Sequence, residues 1–315
     1  MVESKNTLLV RFVEEEVSEL VAPEVAAMVQ AIRQQRSDGV AAILFYGSCL
    51  RDQIYTDGLL DFYVIVDDFG GFYRRLLPRV ANWMVPPNVY YLETDFAGQR
   101  LCAKYAVLNR TQFVQQTSDK ARHVSLWARL SQPCRCAFVT DAAMKTFVVE
   151  RVAAAIQTFY GAAKPLMSSR FTSDQLWQTG LAHCYRTEFR AEKSGRGGDL
   201  QMADQQRYRR LTNILVQNDP KAEEVAAGQY SLRQAQRSGW APQWQWFKWR
   251  VSGRVLQVLR LAKAAFTFTD GLSYVLYKIE KHSGQKVPTS AWQRRHPLLA
   301  APGLAWKLYR KGGFR

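Results

Sequence analysis

With 315 residues, 47% of them hydrophobic, the chain has room and apolar content for two packed domains, which excludes a disordered or fibrous protein. It holds no run near the roughly 18 apolar residues of a membrane-spanning helix. Net charge is +16, and from position 240 onward 14 Lys and Arg face only Asp270 and Glu280, so the last quarter carries +12.

The opening segment, MVESKNTLLVRFVEEEVSEL, has neither the basic nor the apolar region of a secretory signal. The protein is therefore expected in the cytosol. Leu8, Val13, Val17, Leu20, Val21 and Val25 form a stripe that predicts helix over about 7–35. Short apolar runs over 40–46 and 59–66 have the size of buried strands. Gly70-Gly71 closes that region, a helix is expected over 72–83, and two further strands over 89–93 and 101–108. NRTQFVQQTSD opens a helical stretch through Leu130, Pro133 stops it, and 135–139 reads as an edge strand. From Ala142 the pattern turns helical. Thr172 and Gln175 form a capping box for a helix reaching about Phe189, and Asp219-Pro220 predicts another helix start. The loop EKSGRGGD is basic and glycine-rich. The five cysteines, at 49, 102, 134, 136 and 184, are odd in number and lack zinc-ligand spacing, so free thiols are expected. This organisation is an α/β domain over 1–145, a mainly helical domain over 146–239, and a basic, tryptophan-rich segment over 240–315.

The chemistry concentrates in FYGSCLRDQIYTDGLLDFYVIVDD, residues 45–68. A strand ends in Gly47-Ser48 at a turn into a helix, and the next strand opens on Asp61. Glycine lets a backbone approach a phosphate closely, and a helix start favours negative charge. An aspartate opposite can hold a divalent metal on the same phosphates. The nucleotidyltransferase fold uses this layout to hold a nucleoside triphosphate. The position two after Asp61, where a second carboxylate is common, is Tyr63. Asp67 shares the parity of Asp61 but lies about 20 Å further along an extended strand. Another carboxylate would have to come from Glu93 or Glu188.

On these residues the chain resembles the mitochondrial-type phosphatidate cytidylyltransferases, peripheral CDP-diacylglycerol synthases of the nucleotidyltransferase fold. The family's Tyr-Gly-Ser turn matches Tyr46-Gly47-Ser48, and its Asp-Phe strand running into Val-Asp-Asp matches Asp61-Phe62 and Val66-Asp67-Asp68. That strand also lacks the second carboxylate, as Tyr63 does here. A Lys-Tyr strand matches Lys104-Tyr105. LWARLSQPCR resembles a Trp…Gly-Arg-Leu…Pro segment, with Ala128 in place of glycine. HCYRTEFR resembles Ser-Tyr-x-Gly-Asp-x-Arg, with Thr187 for glycine and Glu188 for aspartate, and LTNIL follows. The resemblance spans about 40–216.

It implies an α/β nucleotidyltransferase-like domain, a mixed sheet with flanking helices, followed by a mainly helical domain. It implies transfer of CMP from CTP to phosphatidic acid, giving CDP-diacylglycerol and pyrophosphate. Asp61 would hold Mg²⁺, Gly47 and Ser48 would cradle phosphates, and Lys104 would offer them a point charge. Glu188 would complete the metal site or orient the acceptor, and Arg190 would take a phosphate bidentately.

The basic segment then has a purpose. Val251, Val255, Val258, Leu259, Ala262 and Phe266 share a helical face, flanked by Arg250, Arg254, Arg260 and Lys263. Such a helix suits either a bundle core or an anionic bilayer, and six of the nine tryptophans lie in this quarter. The lipid acceptor favours a peripheral location on the inner membrane face, with nucleic acid not expected. On that view, removing the segment leaves CTP binding intact; if the segment is instead a packed helical domain, removal destabilises the whole fold. The alternatives are a nucleotidyltransferase acting on RNA or protein, or a non-catalytic membrane-binding module.

Overall fold

The computed structural model describes residues 7–35, 39–187, 204–233 and 240–267. The single helical region expected near 7–35 is two helices, α1 (Thr7–Val17) and α2 (Pro23–Gln35). Pro23 lacks an N–H and cannot continue a preceding turn, so it starts a new helix. Leu20, expected on the buried stripe, lies in the link and is 98% exposed.

β1 (Val40–Tyr46) and β2 (Leu59–Val66) have the expected bounds, with a short helix α3 (Ser48–Asp52) between them. The expected helix over 72–83 is divided. Asp68 caps α4 (Phe69–Phe72) by accepting from the Gly70 and Gly71 N–H groups, Tyr73 is extended, and α5 (Leu76–Met84) follows. β3 (Asn88–Phe96) and β4 (Gln99–Asn109) are longer than expected, because they form a hairpin whose turn residues Ala97 and Gly98 both have positive φ. The stretch after Asn109 is likewise two helices, α6 (Arg110–Gln116) and α7 (Ser125–Leu130), before β5 (Cys134–Val139). The sheet order is β3-β4-β2-β1-β5, with β2 and β4 parallel and the other pairs antiparallel. It is a mixed sheet with flanking helices, as the sequence implied.

One sheet face packs Ile43, Phe45, Phe62 and Val64 against α2. The other carries Leu44, Tyr46, Tyr63 and Ile65 into a larger core with α1 and the long helix α8 (Ala142–Ala163). That core continues into β6 (Arg170–Thr172), α9 (Ser173–Tyr185), α10 (Gln205–Gln217), β7 (Ala222–Ala226) and β8 (Gln229–Leu232). The capping box of α9 is present: Thr172 accepts from Gln175 N–H, and Gln175 accepts from Thr172 N–H.

Asp219-Pro220 does not start a helix. The Asp219 carboxylate is taken by Lys164 at 2.5 Å and by the Tyr160 hydroxyl at 2.9 Å. The chain then enters the β7–β8 hairpin, closed at Gly228 with φ 72°. Tyr230 is fully buried against Phe171, so β6, β8 and β7 form a second sheet inside the region expected to be mainly helical.

The last helix, α11 (Trp240–Thr267), does not lie apart from this core. Trp246 and Trp249 are buried, and both meet Trp127 of α7 edge to face, at 6.3 and 5.5 Å. Their indole N–H groups donate to Ala162 O and Ala121 O. Gly253 lies so close to Thr187 that a Cβ there would stand 3.0 Å from its carbonyl oxygen. One core therefore runs across positions 145/146 and 239/240, where the composition changes. The expected stripe faces the other way: Val251, Val255, Val258 and Leu259 are exposed. The rest of the basic segment, and the EKSGRGGD loop, lie outside the described residues.

Candidate active site

The site is built by one transverse row of the sheet. Register pairs Cys134 with Tyr46, Tyr46 with Asp61, Asp61 with Lys104, and Lys104 with Tyr91. Laterally paired residues point to the same face, so these side chains form a strip at the edge of the larger core. The parallel β2–β4 pair puts Asp61 and Lys104 side by side, with Lys104 Nζ 2.8 Å from Asp61 Oδ1. Both side chains are about a quarter exposed or less, at 26% and 21%. Asp61 Oδ1 is itself buried, and its contact with Lys104 is an ion pair rather than a well-angled hydrogen bond.

Gly47 follows β1 at φ 99°, a conformation that L side chains rarely adopt. A Cβ there would stand 3.0 Å from Asp61 Oδ2 and 3.3 Å from Asp61 Cβ. The turn thus requires glycine twice over, for its backbone and for the carboxylate that fills the space. No side chain caps α3, which opens on half-buried Ser48.

Tyr63 occupies the slot of the absent second carboxylate. It is buried and stacks on Tyr46, with ring centroids 4.5 Å apart and planes 12° apart. Burial, Tyr63 and the Asp61 charge push the Tyr46 hydroxyl well above its ordinary pKa, opposed by the Arg129 cation, so it stays protonated. Arg129 was not singled out from sequence. It sits on α7, donates to Ser125 O at 2.8 Å, and brings a positive charge within reach of the Tyr46–Asp61 end of the row. Its one sequence signal was its place in the LWARL segment.

Neither Glu93 nor Asp67 joins Asp61. Glu93 pairs with Cys102, two residues before Lys104, and lies on the same face. It is held by Arg100 and accepts from the Tyr91 hydroxyl at 2.6 Å. Asp67 pairs with Arg110 at the far end of β2. Glu188 and Arg190 lie outside the described residues, beyond Thr187. All five cysteines lie among the described residues, and none of them is in a disulfide.

Among the described residues no group of three or more His, Cys, Asp and Glu could hold a metal alone. The donor set still fits a Mg²⁺ that arrives on a triphosphate. Mg²⁺ commonly takes one or two protein carboxylates and fills its remaining positions with phosphate oxygens and water. Asp61, whose carboxylate fills the space beside Gly47, would be the carboxylate to hold it. A separate groove of about 620 Å³ lies between α8 and α11, lined by Gln157, Pro165, Trp246 and Trp249, and none of the site residues borders it.

Among the described residues no helix is long and apolar enough to cross a membrane. No protein-family model matches the chain, and no curated protein matches it. Among solved structures, the chain is similar to a nucleotidyltransferase-like protein from Exiguobacterium sibiricum at 13% identity. The match covers 91% of this chain and 92% of that one, with a TM-score of 0.27.

Proposed function

We propose that the protein transfers CMP from CTP to phosphatidic acid, releasing pyrophosphate and giving CDP-diacylglycerol. The observation that carries the reading is the Gly47–Asp61–Lys104 geometry: a glycine turn, a carboxylate against it, and a cation paired to that carboxylate from the adjacent parallel strand. The resemblance of the surrounding motifs supplies the nucleotide and the acceptor.

In the proposed reaction a phosphate oxygen of phosphatidate attacks the α-phosphorus of CTP. The bond to the bridging oxygen breaks, and pyrophosphate leaves with its electron pair. Both reactants are anions, so the protein's work is positioning and charge neutralisation. Gly47 and Ser48 would receive phosphates, the first by close backbone approach and the second through its hydroxyl. Lys104, held by Asp61 in the free protein, would extend its ammonium to the triphosphate, while Arg129 adds a second positive charge at the Tyr46 side of the row. Asp61 would hold Mg²⁺, which when bound neutralises triphosphate oxygens. The stacked Tyr46 and Tyr63 would keep water from that end of the site. Glu188 and Arg190 are proposed to serve the acceptor or the metal. The enzyme would work as a peripheral protein on the inner face of an anionic membrane.

The test is incubation with CTP labelled at the α-phosphate, Mg²⁺ and phosphatidate vesicles, followed by lipid extraction. Label in the organic phase is expected. Label in RNA or on protein would move the reading to another acceptor, and label in none of these would leave no transferase.

A further inference from the structure

Helix α5 is inside out. Its buried residue is polar: Asn82 is fully enclosed, and its amide donates to the Tyr73 hydroxyl at 2.8 Å and to Val107 O at 3.0 Å. Its carbonyl oxygen accepts from Asn88 N–H at 3.0 Å. The large apolar residues point out instead: Leu76 is 71% exposed, Leu77 67%, Trp83 72% and Met84 66%. A short helix would normally bury such a set; here an amide clamps it to the sheet edge and the apolar side chains face solvent.

The charge around it has one sign. Arg74, Arg75 and Arg79 flank these residues and are exposed, and no acidic residue occurs between Asp68 and Glu93. α11 packs against α5, and Arg260 and Lys263 bind the carbonyl oxygens of Val85, Pro86 and Pro87 just beyond it. α11 carries its own exposed apolar residues, Val255, Val258 and Leu259.

We propose that α5 is the element that docks on an anionic lipid bilayer, with Leu76, Leu77, Trp83 and Met84 entering the interface and the three arginines contacting lipid phosphates. Apolar side chains ringed by cations, with a tryptophan among them, match a headgroup boundary. They do not match a second copy of this chain, whose α5 would bring three more arginines to the same face. The inference rests on the lipid reading above for its purpose and on this surface for its evidence.

The test uses the full chain with Trp83→Cys, labelled at residue 83 with an environment-sensitive dye. Vesicles are phosphatidylcholine alone or with phosphatidylglycerol, with a lipid-borne quencher in a parallel series. A blue shift and quenching with anionic vesicles are expected, and neither with phosphatidylcholine alone. Leu77→Ser with Trp83→Ser should lower partitioning onto anionic vesicles at least about tenfold, since each apolar side chain withdrawn from water carries about a decade or more. A dye that is already blue and does not respond would show that another part of the chain covers α5. A shift that tracks protein concentration without vesicles would show self-association. Vesicle binding with an unchanged dye would place the contact elsewhere. Each of these outcomes overturns the proposal. Asp61→Asn separates the two readings, because it should abolish transfer and leave the dye response intact.

Discussion

Lys104 and Asp61 are laterally paired on adjacent parallel strands, with their charges 2.8 Å apart. On the proposed reading, the pair would neutralise a carboxylate that otherwise repels an incoming triphosphate, and would keep a cation where the phosphates are expected. Asp61→Asn keeps the shape and removes the charge. It should lower transfer by about two orders of magnitude or more, as loss of a preorganised electrostatic group does, with little change in melting temperature. A tenth of wild-type turnover at saturating Mg²⁺ would remove Asp61 from the mechanism.

Gly47→Ala tests the turn itself. The new methyl would meet Asp61 Oδ2 at 3.0 Å from a backbone at φ 99°. The strain is of order 1–3 kcal/mol, and the carboxylate must move. Both stability and transfer should fall, as read by a denaturant titration and a turnover assay on the same preparation. Ser48→Ala should instead leave stability unchanged. It should weaken triphosphate binding by roughly one to two decades, the worth of one hydrogen bond to a charged group, measured by calorimetric titration.

Asp219 joins α8 to the second sheet. Burial alone would raise its pKa, but Lys164, the Lys221 N–H and the Tyr160 hydroxyl outweigh that and hold it below the unfolded value of 3.8. The unfolded chain therefore binds the proton more readily. The stability contributed by Asp219 is present above pH 3.8 and is lost as pH falls through the lower folded value. Asp219→Asn strands Lys164, whose side chain is only 15% exposed, and should cost about 3–5 kcal/mol at neutral pH. Its melting temperature should also fall less steeply on acidification than that of the wild type.

Trp249 separates a core role from a surface role for the start of the basic segment. Trp249→Ala should cost about 3–5 kcal/mol, in the range of large aromatic core deletions, and truncation before Trp240 should destabilise the whole fold. Thermal melts followed by near-ultraviolet dichroism would show it. A truncated chain that melts like the full one would return these rings to the surface.

The α/β half was legible because its signals are local. β1 and β2 announce themselves as apolar runs bounded by turn residues; Gly47 directly follows β1, Asp61 lies near the start of β2, and register sets Lys104, in the middle of β4, beside the carboxylate. What escaped reading was non-local. Asp219-Pro220 is a sound helix start in isolation, yet Lys164 and Tyr160, more than 50 residues earlier, claim the carboxylate. Trp246 and Trp249 look interfacial among so many cations, and only the indole of Trp127 shows that they are core. Arg129 carries no mark in the sequence of the charge it brings to Tyr46 once α7 is folded. The polar anchor of α5 was invisible for the same reason, since Asn82 becomes structural only through Tyr73, Val107 and Asn88.

The bond from Trp249 to Ala121 spans 128 residues of chain. A ribosome adding about 5–20 residues per second needs roughly 6–25 s to cover that distance. Until residues 240–250 are made, Trp127 lacks the two rings that meet it edge to face. In order of synthesis, residues 240–250 are thus the last to join the enclosure of Trp127, more than 100 residues after the ring they cover.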